Sequence, residues 1–527
     1  NHAAQITYQS PVEDVGGGGI YVEKGTVNFT AGTIEGNIIH EVEKNCGAGV
    51  FIGEKGTFNM SGGSIKDCTT QTSASRPSRG VGVYVSGGSM PNTEGTFKMT
   101  GGTIENCKPL AGHTGAGGAV YVGQYGKFSM SGNVNISTNE TDTGKNDIYL
   151  ATGKKITIAG KLDSIYHVAR ITPESYPTVS EPNILVIQNP TGNTTNVAEN
   201  HFKFTVTRDS NTNKAYCVNE AGLIRQQVDT TPDDVGSQNW GKLKAAIENA
   251  SNGDVIYIRN NCQALNNSDT ITIDNKTITL IGLTVNQVNL NGNRKCRIFK
   301  ITNGGNFTIK NVTLEGGDAQ NDGGNGGGGI LLASGGSKSL TLENVTISAC
   351  YNSNNGLGHG VGIAIYDGTV TMKDKATISG CETLVHNRFG GGVYIGSGGI
   401  LNIDGSAGST YETEPNISSC KAHKGGGVYI ALGGQLNLIK GHIAKNSVKS
   451  YPKKGCAVYN QNTASNSFNW SGGAIKYHYV GSGGTVIEGP CNNTSGNTAD
   501  YPYRLPQSLS AAAFPLKAGR SMQGLFG

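Results

Sequence analysis

The chain has 527 residues, 80 of them glycine, with 15% charged side chains and a formal net charge of +4. Charged residues make up roughly 25% of an average globular protein, and here Lys and Arg are scattered, not gathered into a stripe, which argues against nucleic acid and polybasic membrane contacts. No run approaches the roughly 20 apolar residues of a membrane span, and amphipathic helical patterns are scarce, so short strands joined by turns are expected.

The first residues, "NHAAQITYQSPVEDV", begin without Met and are read as the start of a processed chain whose export signal has gone. From Gly17 the chain repeats itself. "GGGIYVEKGTVNFTAGTI" is followed by "GAGVFIGEKGTFNMSGGSI" from Gly47, "GVGVYVSGG" from Gly80 with "GTFKMTGGTI" from Gly95, and "GGAVYVGQYGKFSMSG" from Gly117. A weaker copy, "NDIYLATGKKITIAGKL", starts at Asn146. Each copy holds three strand-like pieces separated by Gly-rich or polar turns, at a spacing of about 30 residues that suits a solenoid coil. This first repeat domain spans residues 1–162.

Residues 163–227 change character, with "NILVIQ", "HFKFTVT" and "AYCVNEAGLI" reading as ordinary strands of a small β linker module. A second solenoid is expected over residues 228–500. Ahead of its coils, Trp240, Leu243, Ala246, Ile247 and Ala250 fall at helical spacing and predict a capping helix at about 239–251. The repeats resume with "GGGGILLASGGSKSLTLENVTI" from Gly326, "GHGVGIAIYDGTVTM" from Gly358, "GGGVYIGSGGILNI" from Gly390, "GGGVYIALGGQLNL" from Gly425 and "GCAVYNQ" from Gly455. No comparable helix precedes the first solenoid; either residues were removed there or another molecule covers that end. Residues 501–527 carry Phe514, Leu516, Leu525 and Phe526 but no repeat, and are expected to be an ordered tail serving assembly.

Strand alternation assigns the side chains. Val393 and Ile395 point inward, as do Leu401 and Ile403, and Val50, Val83 and Val120 stack into an interior ladder about 4.8 Å per coil. The alternate positions stack Tyr21, Phe51, Tyr84, Tyr121 and Tyr149 in one half and Tyr394, Tyr429 and Tyr459 in the other, as aromatic ladders expected outside, and all of them but Tyr149 are offered as a binding surface. Three residues after the Ile of each third piece stand Asn37, Cys68, Cys107, Asn139, Cys350, Cys381, Cys420 and Asn446. A position that accepts Asn or Cys reads as a structural ladder at a tight bend.

"GGAVY" and its variants, followed by an aliphatic-x-x-Asn or aliphatic-x-x-Cys turn, resemble the GGA(I/V/L) and FxxN repeats of polymorphic outer-membrane-protein passengers and, more broadly, the pectin-lyase-like β-helices of bacterial surface adhesins. The resemblance covers about two thirds of the chain. It implies an all-β fold of two right-handed parallel β-helix solenoids and an extracellular or cell-surface location. No translocator barrel is expected after the last coil, a departure from that family.

Chemistry is weighed against this frame. A dinucleotide site needs strand, glycine loop and helix, and a P-loop needs Gly-Lys-Ser/Thr, so the glycines are read as turns and close packing. "GHG" at Gly358 to Gly360 resembles a polygalacturonase motif but is the lead-in of a coil. Asp318 and Asp322 read as a solvated turn in preference to a Ca²⁺ loop. His113, His359, His386 and His423 each precede a glycine lead-in and read as surface histidines in preference to metal ligands. The eleven cysteines include no CxxC; stacked pairs such as Cys350 with Cys381 suit a disulfide or a buried thiol ladder equally. The expected function is a non-catalytic, secreted or surface structural and binding protein without cofactor or metal, self-associating through its solenoid ends and tail. Alternatives are an adhesin for host or matrix glycans and a polysaccharide lyase or hydrolase.

Overall fold

A computed structural model describes residues 17–40, 46–71, 78–86, 90, 92–110, 115–136, 146–164, 167–228, 238–283, 287–319, 326–353, 358–406, 409–410, 412–449, 455–462 and 467–476. The tail 501–527, Asn139, His113 and Asp322 lie outside them. The chain forms a parallel β-solenoid and divides into two units, residues 1–229 with 283–286 and residues 230–282 with 287–527.

In the first unit, the lead-in strands Ile20–Val22, Val50–Ile52, Val83–Val85, Val120–Val122 and Ile148–Leu150 pair in parallel, one per coil. The middle pieces stack beside them as Gly25–Phe29, Gly56–Lys66, Thr96–Glu105, Lys127–Ile136 and Ile156–Leu162. Because register is kept from coil to coil, like stacks on like: Phe58, Phe97 and Phe128 form one column of the dry interior, and Met60, Met99 and Met130 the next.

Residues 163–227 extend these sheets instead of standing apart as a linker module. Ala169–Pro173 pairs with Ile148–Leu150, and Phe204–Val206 pairs with Ala169–Pro173, both in parallel. The stack then ends differently, with Tyr216–Val218 and Ile224–Gln226 adding antiparallel. The sheet thus ends on an antiparallel hairpin with Ile224–Gln226 at its edge, and the short helix α1 (Asn196–Asn200) puts Val197 into the core.

The second unit repeats the design in a 13-stranded, an 8-stranded and a 4-stranded sheet. The expected capping helix is α2, Gln238–Glu248. Its Trp240, Leu243 and Ile247 are buried, and the Trp240 indole N–H donates to the Asp269 carbonyl at 2.8 Å. Glu248 accepts both Lys244 Nζ at 2.6 Å and the Thr272 amide at 3.0 Å, tying the last turn of the helix to strand Ile271–Asp274. Among the described residues no helix is long and apolar enough to cross a membrane.

The glycine lead-ins do two separate jobs. The first glycine of the phrase takes a left-handed conformation, φ +64° at Gly47 and +72° at Gly390, which L side chains rarely adopt. The third lies against the next coil: a Cβ on Gly392 would sit 2.6 Å from the Gly427 carbonyl oxygen and 2.7 Å from Ile417 Cγ2. Neither neighbour can retreat without breaking the stack. Gly392→Ala is therefore expected to cost the second unit about 1 to 3 kcal/mol by overpacking, read as a lowered denaturation midpoint. Gly241→Ala, on α2 with open space around the added carbon, is the matched control and is expected to be neutral or stabilising.

Candidate functional site

The described chemistry is concentrated in columns, because the solenoid turns one sequence position into a line of neighbours. At the Asn/Cys column, each rung follows a residue in the left-handed region: Gly36, Asp67, Asn106, Ala349, Gly380, Ser419 and Lys445 have φ between +47° and +65°. That twist turns the chain a corner and directs the next side chain inward, where Asn37, Cys68, Cys107, Cys350, Cys381, Cys420 and Asn446 are all buried.

The restriction to Asn or Cys follows from what the rung bonds. Asn446 Nδ2 donates to the Ile417 carbonyl at 2.9 Å, and its Oδ1 accepts the Cys420 amide N–H at 2.9 Å. Cysteine places one sulfur in the same corner, with its nearest carbonyl in its own coil, Ser418 at 3.2 Å from Cys420 and Glu105 at 3.4 Å from Cys107, and the carbonyl one coil back further off. The Cys420 thiol reaches the Ile378 carbonyl at 3.8 Å and the Cys107 thiol the Ile65 carbonyl at 3.9 Å. The Cys381 sulfur in turn takes the Cys350 amide N–H. Serine and alanine would leave one or both backbone groups unmet in a dry corner.

Asn139 lies outside the described residues, and the rung on Cys107 is Asn146. Its Oδ1 accepts the Cys107 amide at 3.1 Å and its Nδ2 donates to the Ile104 carbonyl at 3.3 Å. The available signal was the Asn that opens "NDIYL", directly before a lead-in strand. Cys350, Cys381 and Cys420 are buried thiols that hydrogen-bond along the column. Bonds from the Cys350 and Cys420 thiols draw the Cys381 thiol well down. The flanking thiols are pushed up, Cys350 by its bond to Cys381 and Cys420 by burial.

The aromatic columns stack in the order the alternation dictates. Tyr21, Phe51, Tyr84, Tyr121 and Tyr149 have successive ring centroids 4.9, 5.3, 5.4 and 4.9 Å apart. Tyr394, Tyr429 and Tyr459 follow at 5.6 and 4.9 Å. Their expected exposure needs correction: Tyr21 is 48% exposed, but Phe51, Tyr121, Tyr429 and Tyr459 are buried and Tyr84 and Tyr394 half-buried.

Three things cover them. Each ring shields the faces of its neighbours. Cations lie over the column, Arg79 at 5.6 Å from the Tyr121 centroid and Lys424 at 5.2 Å from that of Tyr459. In the second unit a further column, His359 on Phe389 at 4.8 Å, packs against Tyr394 and Tyr429. Burial pushes the Tyr84 and Tyr149 phenols up to about 12. It also takes His359 down to about 4, with Arg388 adding to the shift.

Among the described residues, the histidines do not converge as a set. His359 belongs to the aromatic column, while His386 and His423 meet edge to face at 5.0 Å. The Asp318 carboxylate is buried and accepts from Ser353, at 3.1 Å from its amide and 2.6 Å from its hydroxyl, where a solvated turn was expected. Among the described residues no group of three or more His, Cys, Asp or Glu is placed to hold a metal ion.

Thr371, Asn402, Asn437 and Asn469 stand in register on the outer face of the middle strands, with Asn437 Nδ2 donating to Asn402 Oδ1 and Asn469 Nδ2 to Asn437 Oδ1, each at 2.7 Å. No protein-family model and no curated protein matches this chain. Its function is therefore argued from these columns and from the ends of the stacks.

Proposed function

We propose that this chain is a secreted or cell-surface structural protein that works as a subunit of an extracellular assembly, built on coils of the kind seen in polymorphic outer-membrane-protein passengers and related adhesins. The observation that carries the reading is the first described coil of the first unit. Among the described residues, its strands Ile20–Val22, Gly25–Phe29 and Ile38–His40 each end their sheet. Its inward side chains Ile20, Val27 and Phe29 are partly exposed, whereas their register partners Val50, Phe58 and Met60 are fully buried.

Parallel strand edges beside half-covered apolar side chains form a template for another chain. A second copy adding end-on would cover both, and a contact of this head-to-tail kind that does not close produces a fibre. The glycan-adhesin reading has less support, because most rings that were to form its platform are buried.

Sedimentation velocity across a concentration series tests the proposal. Concentration-dependent oligomers are expected, and the double change Val27→Lys, Phe29→Lys is expected to abolish them by placing charge at the edge. A wild-type chain that stays monomeric at every concentration overturns the reading.

A further inference from the structure

We infer that the first described coil of the first unit docks on the last described coil of the second unit of another copy, in one register fixed by Asn28 and Asn469. The inference rests on the assembly reading above and specifies its contact.

The two coils carry the same phrase. "VNFTAGTI" runs from Val27 to Ile34 and "FNWSGGAI" from Phe468 to Ile475, so apolar, Asn and apolar positions fall at matching places on both. Each turns its corner on a left-handed glycine, φ +98° at Gly32 and +74° at Gly473. Among the described residues, Val458–Asn460, Phe468–Trp470 and Ala474–Lys476 each end their sheet, as the strands of the first coil do. The inward side chains beside these edges are half covered. Trp470 and Ile475 are half-buried where their register partners Leu438 and Ile443 are fully buried, which repeats the condition of Val27 and Phe29.

The outward asparagines supply direction. In both units the later coil donates to the earlier one, Asn469 Nδ2 to Asn437 Oδ1 at 2.7 Å and Asn59 Nδ2 to Asn28 Oδ1 at 2.8 Å. Among the described residues this leaves an acceptor, Asn469 Oδ1, at the end of one ladder and a donor, Asn28 Nδ2, at the start of the other, both on exposed residues. Adding the first coil of one copy at the strand spacing of roughly 4.8 Å lets Asn28 donate to Asn469 of the second copy, and the ladder continues with one polarity. First coil on first coil would bring two donors together, and last on last two acceptors, so the pairing selects head-to-tail contact.

Sedimentation velocity of full-chain variants tests the register. Asn28→Asp keeps an acceptor for Asn59 and removes the outward donor; association is expected to weaken about tenfold. Asn133→Asp makes the same change at an exposed position outside both end coils and is expected to leave association unchanged. Adding Asn469→Lys to Asn28→Asp sets a donor against the new carboxylate and is expected to restore most of the loss. Wild-type association that Asn28→Asp does not weaken, or a loss that Asn469→Lys does not recover, overturns this pairing and leaves the assembly reading standing. A wild-type chain that is monomeric at every concentration overturns both.

Discussion

Asn446→Ala is expected to destabilise the second unit by about 2 to 6 kcal/mol, from two buried backbone groups at about 1 to 3 kcal/mol each. Asn446 is fully buried, and its amide serves the Cys420 N–H and the Ile417 carbonyl, each at 2.9 Å. Alanine supplies neither partner, and the corner is too enclosed for bulk water to do so. The measurement is the guanidinium midpoint together with amide exchange at Cys420, which should lose protection. Asn446→Cys is the decisive comparison, since Cys420 meets the Ile378 carbonyl one coil earlier with a thiol. It is expected to recover most of the loss. Equal damage from Ala and Cys would refute the account of why this column alternates between Asn and Cys.

Phe97→Ala is expected to cost the first unit about 3 to 5 kcal/mol. The ring is fully buried and stacks on Phe128 at a centroid distance of 4.8 Å, with Phe58 at 5.9 Å on its other side. Strands on both sides are fixed by backbone bonding, so the coil cannot collapse into the void and the cavity term stays close to full size. Since each coil contacts only its neighbours, the lost protection should be largest in Gly56–Lys66 and Lys127–Ile136 and fall off with distance. Phe97→Leu, which keeps most of the volume, should cost far less. A loss spread evenly over the unit would contradict the nearest-neighbour picture.

Much of this was legible in the residues. Val50, Val83 and Val120 recur at a coil's spacing, and strand alternation turns that recurrence into an interior ladder without knowledge of the rest of the chain. The helix before the second unit could be read from Trp240, Leu243 and Ile247, and α2 covers residues 238–248 where about 239–251 was expected. The Asn/Cys column was visible as a position, but its reason was not. The left-handed residue before each rung includes Ala349, Ser419 and Lys445, residue types that give no hint of positive φ. At the Cys107 corner the two backbone bonds come from Asn146, which lies outside the spacing counted from the Ile and so was not found that way, while Asn139 lies outside the described residues.

The period, the direction in which alternate strand residues leave the sheet, and the columns that stacking must create are all readable from the residues. Those follow from the two-residue strand repeat and from contacts between adjacent coils, both local along the chain. Tertiary structure alone decided what lies over the outward columns. Arg79, His359, Phe389 and Lys424 come from stretches outside the strands they cover, so whether Tyr121 or Tyr429 meets solvent depends on the path of those stretches. The same holds for Arg297, whose burial comes from the Gly326 and Gly327 carbonyls about one coil further along. Alternation states which way a side chain leaves the sheet; only the folded chain states what it meets.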